Sequence, residues 1–326
     1  MDPIAAILLH QTEDFKDLLE IVTNEQEIRE PVLVEKDYWL MHVLYGLKNL
    51  EFEFYLKGGT SLSKGFGCIN RFSEDIDIRI EPHHEKTKFK VYIGKNHNDS
   101  RQKKSRKDYY EWLAQKLRGA IPGIVNVERD ENFDDDKYRG GGIRLFYKSR
   151  FNSLPELKEG ILLEVGFDTI TPNGPCNITS WAYDKAVTFN KVKLIDNRAM
   201  GVHCYEPRYT FVEKLQAVLK KFDQYKNGKN QGLANFIRHY YDIYQLLDRQ
   251  DVQSFIGTPD YNKHKKERFG NLDNRVVNSS AFKLDDKNDR GNFEKEYNRS
   301  VRPLCFREPP TFTEILERIG NYLERL

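Results

Sequence analysis

At 326 residues the chain is long enough for one large domain or two ordinary ones, and its 13% aromatic content excludes a disordered chain despite 31% charged residues. The net charge of +2 excludes a molecule that is basic throughout, and Cys68, Cys176, Cys204 and Cys305 are widely spaced with no CxxC pair, against a zinc site or a disulfide framework. No apolar run approaches the roughly 20 residues of a membrane span and the N-terminus has no signal-peptide pattern, so a soluble cytoplasmic protein is expected.

Residues 4–24 and 33–49 carry helical periodicity, with Val34, Tyr38, Met41 and Tyr45 on one stripe of the second segment. Strands are expected at 52–57 and 75–80, joined by a small-residue turn and a short helix-compatible stretch. Residues 82–107 break the pattern and hold nine Lys or Arg against two acids. A helix at 107–121 and strands at 124–129, 143–150 and 161–168 follow, with Arg139-Gly140-Gly141-Gly142 read as a turn. Beyond Tyr205 the texture is helical: Phe211, Leu215, Val218 and Phe222 form one stripe, and Phe236, Tyr240, Ile243 and Leu247 another. Residues 259–300 are polar and are expected as a long loop or a loosely packed excursion, and an amphipathic helix at 312–326 closes the chain. There is no solenoid-type repeat.

The chemistry concentrates at 56–80. In Asp75-Ile76-Asp77 the period of two puts both acids on one face of a strand, while Ile76, Ile78 and Ile80 point into a core. Two neighbouring carboxylates repel unless a cation lies between them, and hard divalent metals prefer oxygen ligands. Gly58-Gly59-Thr60-Ser61 supplies a turn with backbone N–H groups and two hydroxyls where a helix begins, which suits phosphate. Each half alone is weak, since Gly-Gly turns are common and a lone DxD is more often a solvated edge. Joined as strand, turn, helix and strand, they point to a metal–nucleotide site. Downstream, ILLEVGFD offers Glu164 and Asp168 on one strand parity; Glu164, mid-strand, is favoured, although alternation alone allows a solvent-facing acid. Lys214 borders an apolar helical stripe, where a lysine usually reaches for water. Asp242 falls on the polar side of its helix, four residues after Arg238, and an ion pair with Arg238 is enough to explain it.

KGGTSLSKGF (57–66) followed by RFSEDIDI (71–78) resembles the first motif of the DNA polymerase beta-like nucleotidyltransferase superfamily. More narrowly, KGGTSL with RFSEDID resembles the AbiEii/AbiGii-type toxins, the nucleotidyltransferase halves of abortive-infection toxin–antitoxin pairs. EKDYWLMHVL (35–44), EKLQAVLKKFD (213–223) and IRHYYDIYQLL (237–247) are similar to further segments of that family. The resemblance implies an α+β fold, with a small mixed-sheet nucleotidyltransferase core and N-terminal helices over 1–204, then a mainly helical domain over 205–326 that contributes to the site. It implies that Asp75, Asp77 and a third carboxylate, Glu164, hold Mg²⁺, or Mn²⁺ in its place. It assigns Gly58, Gly59, Thr60 and Ser61 to the phosphates of an NTP donor, with Lys57, Arg71 and Ser73 flanking them or bracing the loop. It promotes Lys214 to a phosphate contact and Asp242 to electrostatic or structural support for Lys214 or for the nucleotide. Lys64 is expected to be merely exposed, and His83-His84 to be no metal pair. The implied reaction is NMP transfer to a hydroxyl. RNA is the implied acceptor, with tRNA the first candidate, and an antitoxin the implied partner. The basic stretch 82–107, with Phe89, Tyr92 and His97 available for stacking, is a candidate RNA contact. The competing readings are a non-catalytic nucleotide- or RNA-binding module, and a transferase acting on a protein or small molecule.

Overall fold

The computed structural model describes residues 5–93, 97–155, 157–189, 192–228, 233–270 and 276–326. Ile4 of the first expected helix, residues 94–96 of the basic stretch and 271–275 of the expected loop lie outside the described residues. The chain divides into two compact units: one takes the residues up to Gly65 together with Glu74–Cys204, the other Phe66–Ser73 together with Tyr205–Leu326.

The first unit opens with α1 (Phe15–Glu25) and α2 (Pro31–Asn49). The first helix is shorter than its periodicity suggests. A 3-10 turn at Leu9–Gln11 precedes it, and extended backbone at Thr12, whose hydroxyl donates to the Leu9 carbonyl, breaks the run. Proline at the first position of α2 supplies a preset φ where no N–H partner is needed. The helix is buried over nearly its whole length, so its apolar stripe widens to most of its circumference. Strand β1 (Phe54–Lys57) runs into α3 (Gly58–Thr60) and a π-turn at Ser61–Gly65, and β2 (Asp75–Ile80) matches the expected strand. Then come α4 (His84–Thr87) and α5 (Ser100–Leu117). The latter begins within the basic stretch, because Asp99 caps the Gln102 N–H and Arg106 buries its stem while donating to the carbonyls of Tyr92 and Lys137.

The sheet continues with β3 (Ile124–Asp130), β4 (Gly140–Tyr147), β5 (Ile161–Gly166), β6 (Asn173–Ile178) and, after α6 (Trp181–Phe189), β7 (Ala199–Tyr205). Its order is β3-β4-β5-β2-β1-β7-β6; β2 pairs parallel with β5 and antiparallel with β1, making the sheet mixed. The glycine run is strand rather than turn. A Cβ on Gly141 would lie 2.5 Å from the Tyr110 ring, and one on Gly142 2.7 Å from the Asp130 carbonyl oxygen, so crowding on both faces admits only glycine. Strands β6 and β7 were not expected from sequence. Ile76, Ile78 and Ile80 are fully buried.

The second unit is helical: α7 (Pro207–Lys226), α8 (Ala234–Leu246), α9 (Gln250–Phe255), α10 (Pro259–Phe269), α11 (Ser280–Lys283), α12 (Lys287–Ser300) and α13 (Phe312–Gly320). Both expected stripes are buried. The expected loop over 259–300 is replaced by three helices. Thr258, Ser279 and Asp286 cap them, and Tyr261, Phe269, Phe282, Phe293 and Tyr297 supply a sparse but large apolar payload. Among the described residues no helix is long and apolar enough to cross a membrane.

Candidate active site

The expected site residues fall into two sets, one within each unit. In the first, β1 delivers Lys57 and the chain turns at Gly58, whose φ of +69° lies in the left-handed region that favours glycine. A Cβ there would stand 3.1 Å from an Asp77 carboxylate oxygen, so this position needs both the freedom and the smallness of glycine. Thr60 is buried and donates its hydroxyl proton to the Asp75 carbonyl, tying the turn to the acid-bearing strand; Ser61 is fully buried. On β2 the acids share a face, Asp75 buried and Asp77 half-buried. Register sets Asp77 directly opposite Glu164 of β5, so three carboxylates occupy adjoining positions on that face. Asp168 lies beyond the end of β5 and is exposed.

Each of the two β2 acids meets a lysine. The Lys57 ammonium is 2.9 Å from Asp77, and that of Lys158 is 3.4 Å from Asp75. By type and by face the three carboxylates suit a hard divalent cation. Among the described residues no group of three or more His, Cys, Asp or Glu is gathered as a metal ligand set.

Behind these residues α2 buries three consecutive charges. Glu35 accepts from the Ser149 hydroxyl at 2.6 Å and from the Arg150 N–H at 2.9 Å. Lys36 pairs with Glu74 at 3.3 Å, and Asp37 pairs with Lys64 at 2.7 Å while accepting from the Trp181 N–H. Burial pushes the carboxyl pKa of Glu35 and Asp37 up and that of Lys36 down, against the partners that hold each charged. Lys64 is therefore not merely exposed: it lies half-buried in the π-turn, with its ammonium also 5.0 Å from the Trp181 ring. Sequence reasoning passed over Lys36, Asp37, Glu74 and Lys158. The signal for the first two was three adjacent charges inside an otherwise apolar helix. For Lys158, in the connection between β4 and β5, there was none.

The second set is Arg71, Lys214 and Asp242. Asp242 is fully buried and receives Arg71 through both carboxylate oxygens, at 2.7 and 2.8 Å, and Lys214 at 2.8 Å. Its ion-pair partners are thus Arg71 and Lys214, not the expected Arg238, because the helix turns its acid inward. Burial alone would raise the Asp242 pKa; the two cations overcome it and hold the carboxyl well below the usual range. Burial also lowers the Lys214 ammonium, opposed by Asp242, so this lysine does not reach for water. His239 lies 3.3 Å from that ammonium and is held well below its ordinary pKa by burial and then by Lys214. Arg71 belongs to 66–73, a segment also bound through Phe72 N–H to the Leu304 carbonyl, Phe306 N–H to the Asn70 carbonyl, and Asn70 to Gln245. Ser73, buried, ends this segment. His83 lies 2.9 Å from Glu53 at the surface.

The family model described as "Nucleotidyl transferase AbiEii toxin, Type IV TA system" matches residues 42–318. No curated protein matches. Among solved structures, the chain is similar to an antigenic nucleotidyltransferase-like protein from Paracoccidioides brasiliensis, at 15% identity and a TM-score of 0.36, covering 76% of this chain and 93% of that one.

Proposed function

The chain belongs to the AbiEii nucleotidyltransferase toxin family of type IV toxin–antitoxin systems, and from that premise we propose that it transfers a nucleoside monophosphate from an NTP to a hydroxyl of an RNA acceptor, with tRNA the first candidate. The observation that carries the reading is the register of Asp77 against Glu164, with Asp75 on the same face and the Gly58 turn against the Asp77 carboxylate. Asp75, Asp77 and Glu164 are the residues to hold Mg²⁺ or Mn²⁺; the cation, when bound, supplies neutralising charge to the triphosphate. The turn from Gly58 to Ser61 presents main-chain N–H groups of an opening helix to the phosphates. Lys57, beside Asp77, adds a point charge there. Asp242 acts on this reading as a positioning residue, since its carboxylate holds both Lys214 and Arg71, and with Arg71 the segment that leads into Asp75. An antitoxin partner and a cytoplasmic location complete the proposal.

The test is incubation with each α-labelled NTP, Mg²⁺ and total RNA. The wild type is expected to label an RNA band, and Asp75→Ala to label none while keeping its melting temperature. Transfer by Asp75→Ala at the wild-type rate would sink the mechanism. NTP binding without turnover on any acceptor would instead favour a nucleotide-binding module, and label on protein or a small molecule would move the acceptor.

A further inference from the structure

Lys158 is held more tightly than a connecting residue requires. Its N–H donates to a Glu74 carboxylate oxygen at 3.1 Å, and its carbonyl accepts from the Lys36 ammonium, which is itself paired with that same Glu74 oxygen. Lys36 and Glu74 are both buried, so two desolvated charges are committed to fixing both main-chain groups of one residue. Buried charges are unfavourable unless paired and hydrogen-bonded, and here each completes its bonding on residue 158. The clamp aims the side chain between the Asp75 carboxylate, 3.4 Å from the ammonium, and the Phe133 ring, 5.1 Å from it. Phe133 reaches that place because Gly142 of β4 has no Cβ to block it; one there would lie 3.0 Å from the Phe133 Cβ. The ammonium itself is not sealed in, with about a third of the side chain exposed (31%).

Resting on the nucleotidyltransferase reading, we propose that Lys158 is a phosphate-binding residue that trades partners: it neutralises Asp75 in the nucleotide-free protein and turns to the triphosphate of the incoming NTP. A lysine at Asp75 opposes a divalent cation there by like-charge repulsion, while a triphosphate beside the same carboxylate attracts it. The fixed backbone with a flexible four-carbon stem suits this exchange, because only the side chain has to move.

The decisive comparison is wild type, Lys158→Met and Lys158→Arg. Mn²⁺ binding to the nucleotide-free protein is followed by electron paramagnetic resonance. Binding of an α,β-methylene NTP in Mg²⁺ is followed by calorimetry. Lys158→Met is expected to bind Mn²⁺ about tenfold more tightly and the analogue about tenfold more weakly, with Lys158→Arg near wild type in both. Any change in only one of the two, weakening of both, or no change in either overturns the exchange while wild-type binding leaves the nucleotidyltransferase reading standing. Wild-type protein that binds neither probe overturns both. Lys158→Gln replaces the methionine variant if that one loses its cooperative melt.

Discussion

Asp242 shows how a single buried acid sets a stability that depends on pH. Its folded-state pKa lies below the ordinary unfolded value of about 3.9. The stabilisation is therefore complete above that unfolded value and is lost as pH falls toward the depressed folded one. Asp242→Asn leaves Arg71 and Lys214 as buried cations without their counter-charge, a loss of about 3–5 kcal/mol at neutral pH. Urea unfolding at pH 7 and pH 3 should show that loss shrinking at the lower pH; an equal difference at both would remove the ion-pair explanation. Gly58 makes the second residue-scale case. Gly58→Ala forces a side chain into left-handed backbone, about 1–2 kcal/mol, and presses its Cβ toward an Asp77 oxygen. Both lower stability and a larger fractional fall in labelled NMP transfer are expected. Normal transfer by a destabilised variant would mean that the contact with Asp77 is immaterial.

Elements were legible where one physical period ruled them. Residues 75–80 form the expected strand because three isoleucines alternate with polar residues. The helices carrying Phe211 and Tyr240 were legible by their four-residue stripes. Reading failed where tertiary crowding decided, as at Gly141 and Gly142, or where aromatics were too thinly spread among charges, as from 259 to 300. The same division runs through the candidate site. Asp75, Asp77 and the Gly58 turn are local in sequence and were visible, whereas the partners of Asp242 and the Lys36–Glu74–Lys158 clamp join distant segments that no periodicity connects. Gly141→Ala tests the crowding account: its methyl group meets the Tyr110 ring, so a loss of about 1–3 kcal/mol is expected in thermal or urea unfolding. Unchanged stability would mean that β4 yields more easily than its neighbours suggest.

At the scale of the whole chain, the segment 66–73 is the feature that sequence order hides. It leaves the first unit soon after the Gly58 turn, contributes Arg71 to the second, and returns at Glu74, one residue before Asp75. A fragment of residues 205–326 alone would lack Arg71 and the main-chain partners of Leu304 and Phe306. It is expected to show no cooperative thermal transition by circular dichroism, and a sharp melt would show that the eight-residue excursion is dispensable to that unit.

During synthesis the same excursion imposes an order of events. Arg71 leaves the ribosome 171 residues ahead of Asp242, the acid that receives it. Its main-chain neighbours at 304–306 come later still. Pairings so distant along the chain close late in folding. The link between the Gly58 turn and the acid strand thus waits, unseated, while most of the polypeptide is made, and a ribosome that stops early releases a chain in which that link has no dock.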